Sequence, residues 1–100
     1  MFRIIVSEKA KKMIGEAISF IPNIDKDAAI KTKDLIIKGI KSLNLFPERF
    51  PFFNVDYIPK NKYHKLFIEK WYLVLYQIKD KDIFVDYVLD CRKDYEFLVD

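Results

Sequence analysis

The sequence predicts a single α+β domain spanning residues 1–100: an N-terminal strand, a helical hairpin, then an antiparallel sheet with the helices packed on one face. Two observations carry most of this. Apolar residues recur at helical spacing through the first half of the chain, in two stretches separated by Pro22-Asn23. That period is then lost. β-Branched and aromatic runs at 72–78 and 83–91 flank the polar tetrapeptide Lys79-Asp80-Lys81-Asp82, the pattern of an antiparallel hairpin. A third observation is compositional. At 51% hydrophobic and 16% aromatic, with only two Gly and four Pro, the chain can bury a core and has little room for long loops.

Residues 2–6 are a short apolar strand. Ser7 follows as a helix N-cap with Glu8 in the first turn, and Ala10, Met13, Ile14, Ala17, Ile18 and Ile21 form the stripe of a helix over 8–20. Pro22 breaks it. Asp25 caps a second helix, with Ala29, Ile36, Ile37, Ile40 and Leu43 on its apolar side and Lys31, Lys33, Lys38 and Lys41 on its wet side. Gly39 inside that helix costs about 1 kcal/mol relative to Ala, which marks a position of close packing. The helix stops near Asn44, ahead of Pro47.

Residues 45–53 are an aromatic, proline-punctuated crossover that plugs one end of the core. Residues 55–59 are a short edge strand or an extended loop, because Pro59 cannot donate to a ladder. Residues 66–68 form a strand that turns at Glu69-Lys70 into the hairpin. A four-residue hairpin loop sets Ile78 opposite Ile83, Tyr76 opposite Val85, Val74 opposite Tyr87 and Tyr72 opposite Leu89. All are apolar or aromatic, so this face meets the helices. The other face is mixed and available to a partner: Leu73, Leu75, Gln77, Phe84, Asp86, Val88, Asp90 and Arg92. Residues 95–100 are a single turn or a frayed end, with Leu98 and Val99 able to dock it.

One cysteine, Cys91, and one histidine exclude an internal disulfide, a cysteine cluster and a multi-histidine metal site; no metal or cofactor is expected. No stretch approaches the ~20 apolar residues of a membrane span, and residues 1–6 are too short for a secretory core, so a cytoplasmic protein without a membrane partner is expected. The net charge is +3, unevenly spread. Residues 1–50 hold ten Lys/Arg against six Asp/Glu, and residues 80–100 hold three against seven. The basic half suits an anionic partner and the acidic end a basic one. Lys60, Lys62, His64 and Lys65 surround Tyr63. That mixture suits a nucleic-acid backbone, and equally a lysine-rich edge that blocks strand-to-strand aggregation.

Three motifs follow one another along the chain: Leu43-x-x-Phe46-Pro47; Tyr63-His64-Lys65-Leu66 followed by Tyr72-Leu73-Val74-Leu75-Tyr76-Gln77-Ile78; and Cys91-Arg92-Lys93-Asp94-Tyr95. Together and in this order they resemble the RelE/ParE family of toxins from bacterial type II toxin–antitoxin modules, over nearly the whole chain. The resemblance implies growth arrest, either by cutting messenger RNA in the ribosomal A site, as RelE-like members do, or by inhibiting DNA gyrase without chemistry, as ParE-like members do. It also implies a cognate antitoxin that wraps the toxin.

The departures from the family pattern bear on mechanism. The arginine that steadies the scissile phosphate in nuclease members is Leu73 here, the arginine of the preceding strand is His64, and the catalytic histidine of one branch is Asp94. For a nuclease, the resemblance leaves His64 or Asp94 as base or acid, Lys65, Arg92 and Lys93 as cations, and Tyr95 as a stacking or acid group. Asp94 beside Arg92 and Lys93 is poorly placed to be an acid, since both cations favour its ionised form. Lys60, Lys62, Tyr63 and Lys93 are candidate binding residues. The register above places Leu73 and Arg92 in one slot, which then keeps one cation and has a leucine for the other. The expectation is a ParE-like protein inhibitor, with gyrase as its candidate target. The alternatives are a ribosome-dependent endoribonuclease with an atypical residue set, or a module that binds its antitoxin without toxicity.

Overall fold

The computed structural model describes residues 1–19, 21 and 25–92. Strand β1 (Arg3–Val6) leads into helices α1 (Glu8–Ser19) and α2 (Lys26–Lys41). Two short 3-10 turns follow, Ser42–Asn44 and Pro47–Arg49, and then strands β2 (His64–Ile68), β3 (Tyr72–Lys79) and β4 (Asp82–Asp90). Ser7 caps α1 as expected, its Oγ accepting the Ala10 N–H at 2.9 Å, and Asp25 caps α2 by accepting the Ala28 N–H at 3.1 Å. The expected tail at 95–100 lies outside the described residues.

The four strands lie in the order β1-β4-β3-β2. β2, β3 and β4 form the expected antiparallel meander, while β1 joins β4 in parallel, so the sheet is mixed. No hairpin turn ties β1 to a neighbour. Its direction is set by the helical hairpin that follows it, and strand periodicity carries no information about that.

The hairpin register holds at first and then slips. Ile78 faces Ile83 and Tyr76 faces Val85, but Leu75 faces Tyr87, so Asp86 is an extra residue in β4. Beyond this bulge Val74 faces Val88, Leu73 faces Leu89 and Tyr72 faces Asp90, which corrects the expected pairs Val74–Tyr87 and Tyr72–Leu89. The cause is visible at Asp86. Its carboxylate accepts from the Tyr63 hydroxyl at 3.1 Å and from Gln77 Nε2 at 2.8 Å, on the side away from the helices. A bulge lets Asp86 and Tyr87 both turn to that side, while Val85 and Val88 both turn inward. Tyr87, expected against the helices, therefore packs edge-on to Tyr63, at 5.7 Å between ring centroids.

The sheet consequently has two cores. On the helix side Ala10 and Ala17 of α1 and Ile36 and Ile40 of α2 meet Leu66, Ile68, Val74, Tyr76, Val85 and Val88. Gly39 packs as its cost implied: a Cβ there would lie 2.7 Å from Ile68 Cδ1, so α2 rests its backbone directly on β2. On the far side Leu73, Leu75 and Leu89 are closed off with Phe53 and Tyr63. The mixed face expected to stand open is thus largely covered, and the cover is the crossover itself. Phe53 N–H donates to the Tyr63 carbonyl at 2.7 Å, Lys65 N–H to the Pro51 carbonyl at 2.9 Å, and Phe52 bridges His64. Residues 51–53, rather than 55–59, shield the start of the β2 edge.

The crossover also plugs the helix side. Pro47 is buried, and its carbonyl accepts the hydroxyl of fully buried Tyr76 at 2.6 Å. Among the described residues no helix is long and apolar enough to cross a membrane.

Candidate functional site

The residues expected to cooperate are distributed over both faces. His64 opens β2 on the helix side, with its ring between Phe52, at 4.2 Å, and Tyr76, at 5.3 Å. Its Nδ1 lies 2.7 Å from the Phe50 carbonyl. A carbonyl only accepts, so Nδ1 carries the proton, and Nε2 is the nitrogen left for chemistry. Lys65 points to the far side, opposite Leu75. Lys93, Asp94 and Tyr95 lie outside the described residues.

Arg92 is committed elsewhere. Its Nε and Nη2 each donate to the buried Asp90 carboxylate at 3.0 Å, and Nη2 also donates to the Tyr72 hydroxyl at 3.0 Å. The guanidinium lies 5.3 Å from the Trp71 ring centroid and 5.6 Å from that of Tyr72. The Asp90 carboxylate raises the Arg92 pKa further, so the charge is permanent.

Leu73 is fully buried in the far-side core, whereas Arg92 joins Tyr72, which faces the helices. The expected shared slot of Leu73 and Arg92 is therefore not formed: the bulge at Asp86 moves the end of β4 by one residue and turns it over. His64 stands opposite Tyr76, and Arg92 bonds Tyr72. Those strand positions are roughly 13 Å apart at the usual rise per residue. The structure does not bring His64, Lys65 and Arg92 around one point.

The basic segment also divides. Tyr63 is 6% exposed, and burial, then the Asp86 charge, push its hydroxyl pKa up. Its ring holds the loop to the sheet and is not available to stack on a base. Lys60 and Lys62 stand exposed in the loop that follows Phe53. That loop is closed by Asn61 N–H donating to Asn54 Oδ1 at 2.8 Å and by Asn54 Nδ2 donating to Asn61 Oδ1 at 3.1 Å.

A feature that motif reading passed over is an open cleft of about 450 Å³ between β1 and the two helices. Ile4 and Val6 of β1, Ile14 of α1, and Ile37 and Ile40 of α2 line it, with Lys11 and Lys41 beside them. The sequence did contain a signal. The apolar stripe of α2 is wide enough to include both Ile36 and Ile37, and only Ile36 is fully buried. Among the described residues no cluster of His, Cys, Asp or Glu could hold a metal ion.

Neither a protein-family model nor a curated protein matches this chain. Solved structures do. A chain of the chromosomal ParDE toxin–antitoxin system of P. aeruginosa is similar with a TM-score of 0.73 and 17% identity, over 90% of this chain and 96% of that one. The chain has the ParE/RelE-like toxin fold. A chain of the E. coli DinJ–YafQ complex matches with a TM-score of 0.55 and 14% identity, over 92% of this chain and 96% of that one. YafQ from E. coli strain BL21(DE3) matches at 0.52 and 16%, over 97% and 99%. The ParE/RelE-like fold therefore accounts for the strand, helical hairpin and meander of the described residues, with the tighter superposition on the ParDE side.

Proposed function

We propose that this chain is the toxin of a type II toxin–antitoxin module and acts in the bacterial cytoplasm as a ParE-like protein inhibitor, with DNA gyrase as its target. The fold likeness, over 90% of this chain for the ParDE match, supports the toxin reading. The observation that favours inhibition over RNA cleavage is the burial of Leu73. A phosphorane needs preorganised cations, and loss of one donor typically costs about 100- to 1000-fold. Leu73 lies under Phe53 and Tyr63 in the far-side core, and Arg92 is held by Asp90 on the opposite face. A nuclease reading would have to rely on His64 with Lys65, or on Lys93, Asp94 and Tyr95.

The partner is a cognate antitoxin. The cleft between β1 and the helices is apolar and flanked by Lys11 and Lys41, which suits an acidic, amphipathic segment that orders on binding. Exposed Lys60 and Lys62 extend the basic surface.

Controlled expression tests the proposal in one series. Growth should arrest, and co-expression of the adjacent frame should relieve the arrest through a stable complex. The purified chain should inhibit gyrase supercoiling and leave no A-site cuts in primer extension on programmed ribosomes. A-site cleavage lost in His64→Ala would establish the nuclease instead. Normal growth at high soluble expression would remove the toxin reading altogether.

A further inference from the structure

We propose that Phe46, with Leu45 beside it, is a preformed anchor that inserts into an apolar pocket of the folded target protein. This rests on the toxin reading above and goes beyond it by naming the point of contact.

Phe46 is 75% exposed and Leu45 53% exposed. Single exposed apolar side chains are ordinary; what separates this pair is the backbone that carries it. Phe46 sits at φ 53, ψ 55, the left-handed region that bulky L residues avoid. The other non-glycine residues with positive φ among those described are Asn61, Glu69 and Asp80, all polar and all in turns. Phe46 alone among them is large and apolar.

The strained tip is fastened from below. The Arg49 guanidinium donates to the carbonyls of Leu45 and Phe46 and to Ser42 Oγ. The next residue, Pro47, is buried with its carbonyl on the Tyr76 hydroxyl. Phe46 is thus held rigidly in an unfavourable conformation while its ring buries little against its own chain. Such outliers persist where surrounding structure over-determines them, and they concentrate at binding and switching sites.

A protruding rigid side chain requires a concave receptor, and a folded protein supplies one. A wrapping peptide brings its own apolar side chains and seeks clefts, such as the one beside β1. Leucine offers no aromatic face, so the Leu45–Phe46 pair does not suit stacking on nucleobases. The charged group shown at the tip is the Arg49 guanidinium, on the Leu45 and Phe46 carbonyls. Because the anchor is preorganised, little ordering is left to do on contact.

Phe46→Gly tests this directly, since glycine removes the ring and relaxes the left-handed strain together. The variant should melt at or above the parent temperature and still form the antitoxin complex. It should also need at least ten-fold more protein to inhibit supercoiling and ten-fold more inducer to arrest growth. Ile30→Ser, which removes another exposed apolar group, from α2, should change neither. Undiminished inhibition by Phe46→Gly would overturn the anchor and leave the toxin reading standing. Loss of antitoxin binding with toxicity intact would make the antitoxin the occupant and overturn the assignment to the target. Phe46→Gly that loses cleavage of ribosome-bound RNA, with gyrase unaffected, would place the ring on nucleic acid and also overturn it. A parent chain that neither arrests growth nor inhibits gyrase would remove the toxin reading and the anchor together.

Discussion

The Tyr76 hydroxyl donates to the Pro47 carbonyl at 2.6 Å, tying the middle of β3 to the crossover that follows α2. Tyr76 is fully buried, so removing the hydroxyl leaves the carbonyl without its partner in a dry site. Tyr76→Phe should cost about 1–3 kcal/mol. Urea unfolding should show a lower midpoint with an unchanged slope.

Alkaline pH should unfold the domain through two tyrosines. Burial raises the pKa of Tyr76, and burial followed by the Asp86 charge raises that of Tyr63. Both hydroxyls are stronger acids in the unfolded chain. Stability is therefore complete below the ordinary tyrosine pKa of about 10 and declines as pH rises above it. Absorbance at 295 nm should show two tyrosines resisting ionisation until circular dichroism reports unfolding. Six tyrosines titrating together before unfolding would contradict this.

The bulge makes Val85 and Tyr87 unequal, although an unbroken alternation would put them on one face. Val85→Asp places a charge in the helix-side core and should abolish folding, at a cost of several kcal/mol. Tyr87 is half-buried on the other side, with Lys9 Nζ 4.7 Å from its ring centroid. Tyr87→Asp keeps a cation nearby and should leave a folded protein, destabilised by about 1–2 kcal/mol. Thermal melts of the two variants decide between the bulged and the unbroken register.

The two glycines should respond oppositely to alanine. Nothing stands within 4 Å of a Cβ at Gly15, so Gly15→Ala should stabilise α1 by up to about 1 kcal/mol. At Gly39 the new Cβ would overlap Ile68, and overpacking of about 1–3 kcal/mol should outweigh the helix gain. Pairing Gly39→Ala with Ile68→Val should recover part of the loss.

Arg92 is expected to matter for stability. Arg92→Ala leaves the buried Asp90 carboxylate without its cation, at a cost of about 2 kcal/mol given that the arginine is itself partly exposed. Arg92→Lys should recover little, because lysine cannot reproduce the two-pronged contact. Leu73→Arg, introduced to restore a nuclease-type cation, should open the far-side core rather than create activity. Chemical denaturation of all three variants checks these ranks.

The elements were legible because each follows a local rule. Ser7 and Asp25 announce their helices, Gly39 announces a close approach, and the apolar runs announce β3 and β4. The face assignment beyond Tyr76 was not legible. One extra residue turns everything after it over, and Asp86 in an alternating strand looks like any other outward charge until Tyr63 and Gln77 are seen to hold it. The cover over Leu73 was hidden for a similar reason. Residues 51–63 have no period, and their position is fixed by contacts between Phe53 and Tyr63 that no sequence spacing encodes. The cleft beside β1 needs three elements to form it, and no single motif carries it.

Residues Arg3 and Asp82 are 79 positions apart yet face each other across the parallel β1–β4 pair. During synthesis β1 emerges early and must wait for β4, so the sheet cannot close while the chain is still short. Contacts of such long sequence separation also slow folding once the chain is free. A chain built this way completes its sheet only after β4 has followed β1 out of the ribosome, so any surface that spans the β1–β4 pair is a late product of synthesis.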